Sequence, residues 1–176
     1  METIYTGRIF SVVKKFVTGK SGEQLERQVI VHPGAVVVLP ILSDGRIVLV
    51  RQHRIAVEEH LIELPAGTVE TGEELMTTAR RELQEETGYR ADELISVLKF
   101  YASPGFVREE MHLFKATKLT AGPTAQEDDE KIETILVDLP QAMKMLYSGE
   151  IRDAKTIIGL LWHSQQVQKP EWSAMQ

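Results

Sequence analysis

Residues 67–89 read GTVETGEELMTTARRELQEETGY, and they decide the fold because they predict a short helix with acidic side chains on and beside its apolar face. At about 100° per residue, four apolar side chains fall within one sector of this helix; they are Leu75, Met76, Ala79 and Leu83. Glu86 projects within that sector, Glu82 lies just beside it, and Glu85 flanks Glu82. An ordinary amphipathic helix turns its carboxylates to the opposite side. The arrangement therefore needs a chemical explanation.

A divalent cation is one such explanation. Glu82 and Glu86 are four residues apart, and a like-charge pair at that spacing costs a few tenths of a kcal/mol on a helix. Half-buried carboxylates that repel each other call for a cation, and hard oxygen ligands suit Mg²⁺ or Mn²⁺ better than Zn²⁺. The alternative is that the glutamates are solvated or paired with arginines, Arg81 with Glu85 and Arg80 with Glu73 or Gln84. That alternative leaves Glu82 and Glu86 unexplained.

The predicted helix covers residues 73–87, and both of its ends carry signals. Thr71 followed by Glu74 fits a capping box, and Gly88 stands where a glycine commonly ends a helix. Before the helix, residues 64–67 read LPAG, which indicates a tight turn leaving a strand. This turn would bring backbone carbonyls close to the carboxylate face.

The whole stretch resembles the signature of the Nudix hydrolases. That signature is a glycine, five residues, a glutamate, seven residues, and then Arg-Glu-apolar-x-Glu-Glu-x-Gly-apolar. Every fixed position is filled here, by Gly67, Glu73, Arg81, Glu82, Leu83, Glu85, Glu86, Gly88 and Tyr89. Tyr89 is a slight departure because the pattern prefers an aliphatic residue there. So many fixed positions make this a specific signal.

Length and composition indicate one enzyme-sized domain. A chain of 176 residues that is 43% hydrophobic can build a proper core. It has no cysteine, opens without a charged-then-apolar leader, and its longest apolar run, near residues 35–42, is too short to span a bilayer. We therefore expect a soluble, cytoplasmic protein without a membrane partner. A net charge of −6 argues against binding nucleic acid, and an anionic substrate would need metal ions and local arginines.

The remaining pattern alternates strands with a few helices. Strands are predicted at 3–17, 25–31, 35–39, 46–51, 61–64, 94–101, 111–119 and 132–137, and further helices at 139–147 and 154–166. Residues 18–22 and 43–45 are predicted hairpin turns, the second pairing the strands on either side of it. The pattern is typical of an α+β or layered αβα domain. The resemblance implies the Nudix fold, a mixed sheet sandwiched between helices, over residues 32–176, with N-terminal strands in 1–31.

A second set of residues resembles the ADP-ribose pyrophosphatase subgroup of this family. The turn Ser103-Pro104-Gly105 carries the resemblance, together with residues 50–54, 63–67 and 149–162, so that it extends from about Arg27 to Trp162. It implies metal-dependent hydrolysis of ADP-ribose to AMP and ribose 5-phosphate. It also implies a homodimer whose N-terminal strands pack across the partner.

The resemblance further implies the metal site and the catalytic base. The backbone carbonyl of Ala66 and the side chains of Glu82 and Glu86 would hold Mg²⁺, or Mn²⁺, while Glu85 helps through a metal or a bound water. Arg81 would hold the glutamates in orientation. The general base would come from the loop at 127–130, where Glu130 is favoured over the shorter Asp128. The alternative is that this acidic loop is simply solvated.

Arginines would receive the substrate, because a guanidinium binds phosphate in a forked geometry and stacks on a base. The candidates are Arg54, Arg51 and Arg27, beside Pro104, Gly105 and Glu109 of the turn region. Arg108 departs from relatives, which commonly carry an acid or a small polar residue there. Because of Arg108, a nucleoside diphosphate sugar such as ADP-glucose or GDP-mannose remains an alternative substrate. The other alternative is a nucleotide sensor without activity, which the retained glutamates disfavour.

Overall fold

The computed structural model describes residues 2–124 and 131–168 as eleven strands and three helices. The strands are β1 (Glu2–Thr6), β2 (Ser11–Thr18), β3 (Gln24–Val31), β4 (Ala35–Pro40), β5 (Ile47–Arg54), β6 (Glu59–Glu63), β7 (Ala66–Thr68), β8 (Tyr89–Tyr101), β9 (Val107–Arg108), β10 (Glu110–Ala121) and β11 (Glu133–Val137). The helices are α1 (Leu75–Thr87), α2 (Leu139–Tyr147) and α3 (Ala154–Gln168).

The described strands form three sheets, in the orders β1-β2-β3-β9, β7-β4-β10-β8 and β11-β5-β6. The second sheet is mixed, because β10 runs parallel to β4 and antiparallel to β8. It lies at the centre, and every residue of β4 is buried. Val36 and Val38 of β4 pack with Ala79 and Leu83 of α1 on one face. The opposite face packs against the β5 sheet and against α2 and α3. The predicted α+β class and Nudix-type layering are confirmed.

Three local predictions are wrong. The strand predicted at 3–17 is two strands, β1 and β2, separated by a turn in which the Gly7 amide donates to the Phe10 carbonyl. The turn at 43–45 forms, but β4 and β5 enter different sheets and meet through a single bridge between Ile41 and Ile47. The segment between the strands predicted at 94–101 and 111–119, for which no strand was predicted, contains the short strand β9.

The end of α1 follows the prediction, and its start does not. Gly88 adopts a left-handed conformation with φ of 74°, and its amide donates to the Gln84 carbonyl at 2.8 Å. The N-cap is Glu74, which makes no side-chain capping bond, so the capping box predicted from Thr71 is wrong. The turn before the helix is instead closed by the Glu73 amide on the Glu70 carbonyl.

Replacement of Gly88 by alanine tests this helix end. A Cβ at Gly88 would meet the Gly122 carbonyl oxygen at 2.5 Å, in addition to the strain of a positive φ. We expect Gly88→Ala to lower the free energy of unfolding by about 1–3 kcal/mol, measured by urea denaturation. Gly149→Ala is the control, because Gly149 has φ of 79° but open space around its Cβ. Equal losses in the two variants would contradict a role for the Gly122 contact.

Candidate active site

Helix α1 directs two carboxylates at the short strand β7. Glu86 is 4% exposed, and its Oε2 accepts a hydrogen bond from the Ala66 amide at 3.1 Å. Glu82 lies one turn earlier, and its carboxylate lies against the backbone of Gly67, where an added Cβ would meet its Cδ at 2.0 Å. The two glutamates predicted as metal ligands therefore converge on Ala66 and Gly67, the first residues of β7.

This contact gives the signature glycine a packing role. Gly67 does not have the positive φ that favours glycine in turns. It is a glycine because any side chain there would occupy the volume of the Glu82 carboxylate. The motif includes this glycine, but the close approach of Gly67 to Glu82 on α1 was not predicted from the sequence.

Arg81 ties the other acidic side chains together. Its Nε and Nη2 donate to the two carboxylate oxygens of Glu73 at 3.2 and 3.1 Å. Its Nη1 donates to Glu82 at 2.7 Å and to Glu85 at 2.9 Å. The hydrogen bond to Glu73, with the charge of Glu82 and the bond to Glu85, raises the pKa of Arg81 above its usual range, so that it stays charged.

The pairing suggested for Arg80 is therefore wrong. Glu73 is taken by Arg81, and Arg80 donates instead to the backbone carbonyl of Ala91. The pairing of Arg81 with Glu85 is confirmed. Arg81 contacts three glutamates at once, which is the geometry that an orienting residue requires.

The chemistry of the donors on α1, which are carboxylate oxygens, suits a hard divalent cation. Among the side chains of residues 2–124 and 131–168, no group of three or more His, Cys, Asp or Glu is arranged to hold a metal ion. Arg81 engages oxygens of Glu82 and Glu85 in this arrangement. Carboxylate oxygens beside backbone carbonyls are nevertheless the ligands that Mg²⁺, Mn²⁺ or Ca²⁺ prefers.

A buried charge cluster lies just before Ala66 in the chain. Glu63 is 1% exposed, and its Oε1 and Oε2 accept from Nε and Nη2 of Arg54 at 2.8 and 2.7 Å. Lys155 donates to Glu63 as well, and to Asp153 at 3.0 Å. Burial alone would raise the pKa of Glu63, but Arg54 and Lys155 outweigh it and lower that pKa. We expected the guanidinium of Arg54 to bind phosphate, but its Nε and Nη2 donate to Glu63. Only Nη1 lies outside this pair of hydrogen bonds.

The other predicted arginines lie apart from the α1 carboxylates within this chain. Arg51 is exposed on β5, opposite Glu133 of β11. Arg27 is exposed in the N-terminal sheet, where its Nη1 donates to the Glu26 carbonyl at 2.8 Å. Their predicted contact with substrate stays a prediction.

One cleft is lined in part by the Ser-Pro-Gly turn. Pro104 and Gly105 are exposed and line a cleft of about 310 Å³ with Lys15, Tyr101 and Arg108. Glu109 is half-buried, with its carboxylate 3.7 Å from Nδ1 of His32. Pro104 and Gly105 thus line a cavity, and their predicted contact with substrate stays a prediction.

The second cleft, of about 370 Å³, reaches from Glu82 and Arg81 past residues 68–71 to Arg8. Arg8 was not among the predicted site residues, because it lies in the turn between β1 and β2, and a continuous strand was predicted there. Asp128 and Glu130, the candidates for the general base, lie outside the described residues.

Comparison with known proteins agrees with the family that the signature residues predict. Residues 31–158 match the model of the NUDIX domain. An ADP-ribose pyrophosphatase of Bacillus subtilis (strain 168) is 41% identical over 157 residues, which are 88% of this chain and 85% of that protein. A methanol dehydrogenase activator of Bacillus methanolicus is 36% identical over 161 residues, 90% and 87% of the two chains. A GDP-mannose pyrophosphatase of Escherichia coli O1:K1 / APEC is 34% identical over 154 residues, 81% and 80%.

A solved structure described as an ADP compounds hydrolase has the same fold. It matches with a TM-score of 0.84 and 22% sequence identity, over 97% of this chain and 92% of that one. At this identity the match supports the fold alone. None of the helices within residues 2–124 and 131–168 is long and apolar enough to cross a membrane.

Proposed function

Because the chain belongs to the NUDIX family and is a pyrophosphohydrolase, we propose that it hydrolyses the diphosphate linkage of ADP-ribose to AMP and ribose 5-phosphate. The observation that carries this proposal is the convergence of Glu82 and Glu86 on Ala66 and Gly67. The 41% identity to an ADP-ribose pyrophosphatase supports the choice of substrate.

We propose that one group of residues binds the metal and another group binds the substrate. A bound divalent metal, which we propose to be Mg²⁺ with Mn²⁺ as an alternative, supplies charge neutralisation and a water of lowered pKa. Glu82 and Glu86, with the Ala66 carbonyl, are the proposed ligands, and Glu85 is proposed to assist. Arg81 keeps the carboxylates of Glu82 and Glu85 oriented through its bonds to both.

Substrate binding and base catalysis rest on residues at the edges of the site. Arg54, whose Nε and Nη2 donate to Glu63, is the proposed contact to a phosphoryl oxygen through Nη1. Pro104, Gly105 and Glu109 are proposed to contact the ribose. Arg51 and Arg27 remain proposed contacts to the base or the sugar. Glu130, ahead of Asp128, is the proposed general base.

Turnover of a substrate panel with Mg²⁺ tests the proposal. We expect kcat/KM for ADP-ribose to exceed that for ADP-glucose, GDP-mannose, diadenosine polyphosphates and nucleoside triphosphates by about tenfold or more, which is a difference of about 1.4 kcal/mol in transition-state binding. Separation and quantification of the nucleotide products by anion-exchange chromatography give the rate. Equal or higher values for a hexose nucleotide would contradict ADP-ribose as the preferred substrate. Failure to turn over any of them with any divalent metal would support a sensor.

A nucleoside diphosphate sugar is the second candidate substrate. The relative named GDP-mannose pyrophosphatase supports it, and so does Arg108, which lies exposed in the cleft beside Pro104 and Gly105. An arginine there offers hydrogen-bond donors to the additional hydroxyl groups of a hexose. The same panel separates the two candidates.

We also propose that water attacks the phosphate on the adenosyl side. Hydrolysis in ¹⁸O-water would then place the label in AMP. Label in ribose 5-phosphate would contradict this direction of attack.

A homodimer built through the N-terminal sheet is the proposed assembly. Residues 1–31 contribute β1, β2 and β3, and the family match begins at residue 31. Large apolar side chains of this segment are exposed, namely Ile4, Tyr5, Ile9, Phe10, Phe16 and Val17. An apolar surface of this kind is typical of an interface. Light scattering after gel filtration tests it, with twice 19.9 kDa as the expected mass and a monomer as the contrary result.

The remaining predictions on partners and location rest on the sequence. A cytoplasmic location is checked by cell fractionation. The expected lack of nucleic-acid binding is checked by filter binding at low salt.

A further inference from the structure

The N-terminal sheet carries cationic side chains on one of its two faces. Side chains alternate between the faces along a strand, and residues directly opposite each other on neighbouring strands share a face. Arg27, Val29 and Val31 therefore lie on one face of β3. Lys15 of β2 is opposite Arg27, and Arg108 of β9 is opposite Val31. Lys15 and Arg108 thus lie on that face as well.

This face borders the cleft of about 310 Å³ at the Ser-Pro-Gly turn. Lys15, Val29 and Arg108 line the cleft, together with Tyr101 and residues 104–107. Among the described residues that line it, Lys15 and Arg108 are the only charged ones. The chain as a whole has a net charge of −6, so a cleft with cations alone is a departure from its average surface. A cleft lined by charge of one sign concentrates ligands of the opposite sign.

Neither of these cations is neutralised by a protein carboxylate. Within residues 2–124 and 131–168, the Lys15 ammonium and the Arg108 guanidinium form no ion pair. Lys14, the residue before Lys15, points to the other face of β2, and its Nζ lies 3.6 Å from Glu26 and 3.8 Å from Glu2. The two neighbouring lysines therefore differ, because Lys14 has counter-ions within the protein and Lys15 has none.

The acidic residues that follow β9 in the chain have other partners. The Glu109 carboxylate lies 3.7 Å from Nδ1 of His32. Glu110 lies 3.5 Å from Nζ of Lys99, and it accepts a hydrogen bond from the Tyr101 hydroxyl. These acids are neutralised at the edge of the cleft and leave its two cations without a counter-ion.

We propose that this cleft binds a phosphate monoester, whose dianion is held by Lys15 and Arg108. A guanidinium donates two parallel hydrogen bonds to phosphate oxygens, and a lysine adds a compact charge on a flexible stem. Two cations also match the charge of a phosphate monoester, which is close to −2 above neutral pH. The described residues that line the cleft include none from α1. The site therefore does not depend on the proposed metal site or on the proposed reaction.

The rest of the cleft wall is suited to the carbon atoms of a sugar. Val29 is half-buried, Phe106 is 56% exposed, and both lie beside Pro104 in the lining. An exposed aromatic side chain next to a cation is a common surface for a ring that carries a charged group. The phosphate group could come from two sources, a sugar phosphate or free inorganic phosphate, and the apolar wall favours the sugar phosphate.

Isothermal titration calorimetry with inorganic phosphate and with ribose 5-phosphate tests the proposal. The titrations are made at low salt and about pH 8, where the second proton of the phosphate is lost, and with EDTA, so that no metal links a phosphate to α1. We expect one saturable site per chain. Lys15→Met and Arg108→Met are each expected to raise the Kd about 10–100-fold, the loss typical of a hydrogen bond between charged groups. Absence of saturable binding to the wild-type protein would overturn the proposal.

Lys14→Met is the matched control, because it removes the same charge from the neighbouring position on the other face of β2. We expect its Kd for both probes to equal that of wild type. An increase as large as in Lys15→Met would mean that the general charge of the sheet attracts phosphate, which would overturn the site. Lys15 and Arg108 are exposed, so we expect both variants to keep the wild-type Tm.

Arg54→Met separates this cleft from the proposed active site. Arg54 is not among the residues that line the cleft, and we expect its replacement to leave the Kd unchanged. Binding that is lost in Arg54→Met and kept in Lys15→Met and Arg108→Met would place the phosphate at the active site and overturn the proposal.

The two probes identify the source of the phosphate group. A Kd for ribose 5-phosphate at least about tenfold lower than that for inorganic phosphate would support a sugar phosphate, and equal values would support free phosphate as the ligand. Protein that hydrolyses ADP-ribose but binds neither probe would refute this site and leave the proposed function standing. Protein that binds the probes but leaves ADP-ribose intact would refute the proposed function and leave this site standing.

Discussion

Glu86→Gln is expected to lower kcat for ADP-ribose hydrolysis at least about 10²-fold, the loss typical of removing one preorganised electrostatic element from an active site. Glu86 is buried, and the Ala66 amide holds its Oε2. A glutamine fits the same volume, and its amide oxygen can accept the same hydrogen bond. The substitution removes the negative charge, and the neutral amide is a much poorer ligand for a divalent metal.

Steady-state kinetics at saturating Mg²⁺ measure this effect, and circular dichroism with a thermal melt shows whether the fold is kept. Glu74→Gln is the matched control, because Glu74 is exposed at the start of the same helix and makes no side-chain capping bond. We expect it to retain wild-type turnover. Near-normal kcat in Glu86→Gln would remove Glu86 from the metal site.

The sequence predicted α1 and its carboxylates well because their signals are local. The spacing of Leu83, Glu82 and Glu86 on one helix, and the glycine that ends it, depend on residues within a few turns of each other. The start of α1 was predicted less well. The preceding loop ends in an ordinary turn at Glu70 and Glu73, and the carboxylate of Glu73 binds Arg81, eight residues further on.

The pairing of strands could not be read from the same local pattern. Residues 43–45 form the predicted turn, in which the Leu42 amide donates to the Arg46 carbonyl at 2.8 Å and the Gly45 amide donates to the Leu42 carbonyl at 3.0 Å. Yet β4 pairs with β7 and β10, because all six of its residues are buried between two layers, whereas β5 joins β6 and β11. A turn fixes the direction of the chain, while the choice of neighbour depends on apolar surfaces that come from distant segments.

In the candidate site, the sequence did not predict the contacts between residues that lie far apart in the chain. Lys155 donates to Glu63, which is 92 residues earlier in the chain, and no local spacing pattern predicts that pair. Arg54 was predicted as a phosphate ligand from its residue type, which says nothing about the carboxylate that holds it. The motif thus predicted the candidate metal ligands, whereas the contacts that hold their neighbours in position became visible only in the structure.

Gly67→Ala is expected to lower kcat about 10²-fold, because a misplacement of about 1 Å in a catalytic group costs that much. The new methyl group would lie 2.0 Å from both Cδ and Oε1 of Glu82, so that the carboxylate must move. The group that moves is the end of a flexible side chain, and Gly67 has no positive φ. We therefore expect the free energy of unfolding to change by less than about 1 kcal/mol, so that activity falls while stability is nearly kept.

A double-mutant cycle with Glu82→Gln identifies the cause of that loss. If Gly67→Ala acts by displacing the Glu82 carboxylate, it has little left to remove once that carboxylate is an amide, and the two losses in kcat are far from additive. Additive losses would mean that the methyl group disturbs something else, such as the Ala66 carbonyl. Strong non-additivity with an unchanged urea midpoint would tie the signature glycine to Glu82: the glycine is required in β7 because a metal ligand from α1 occupies the volume of its side chain.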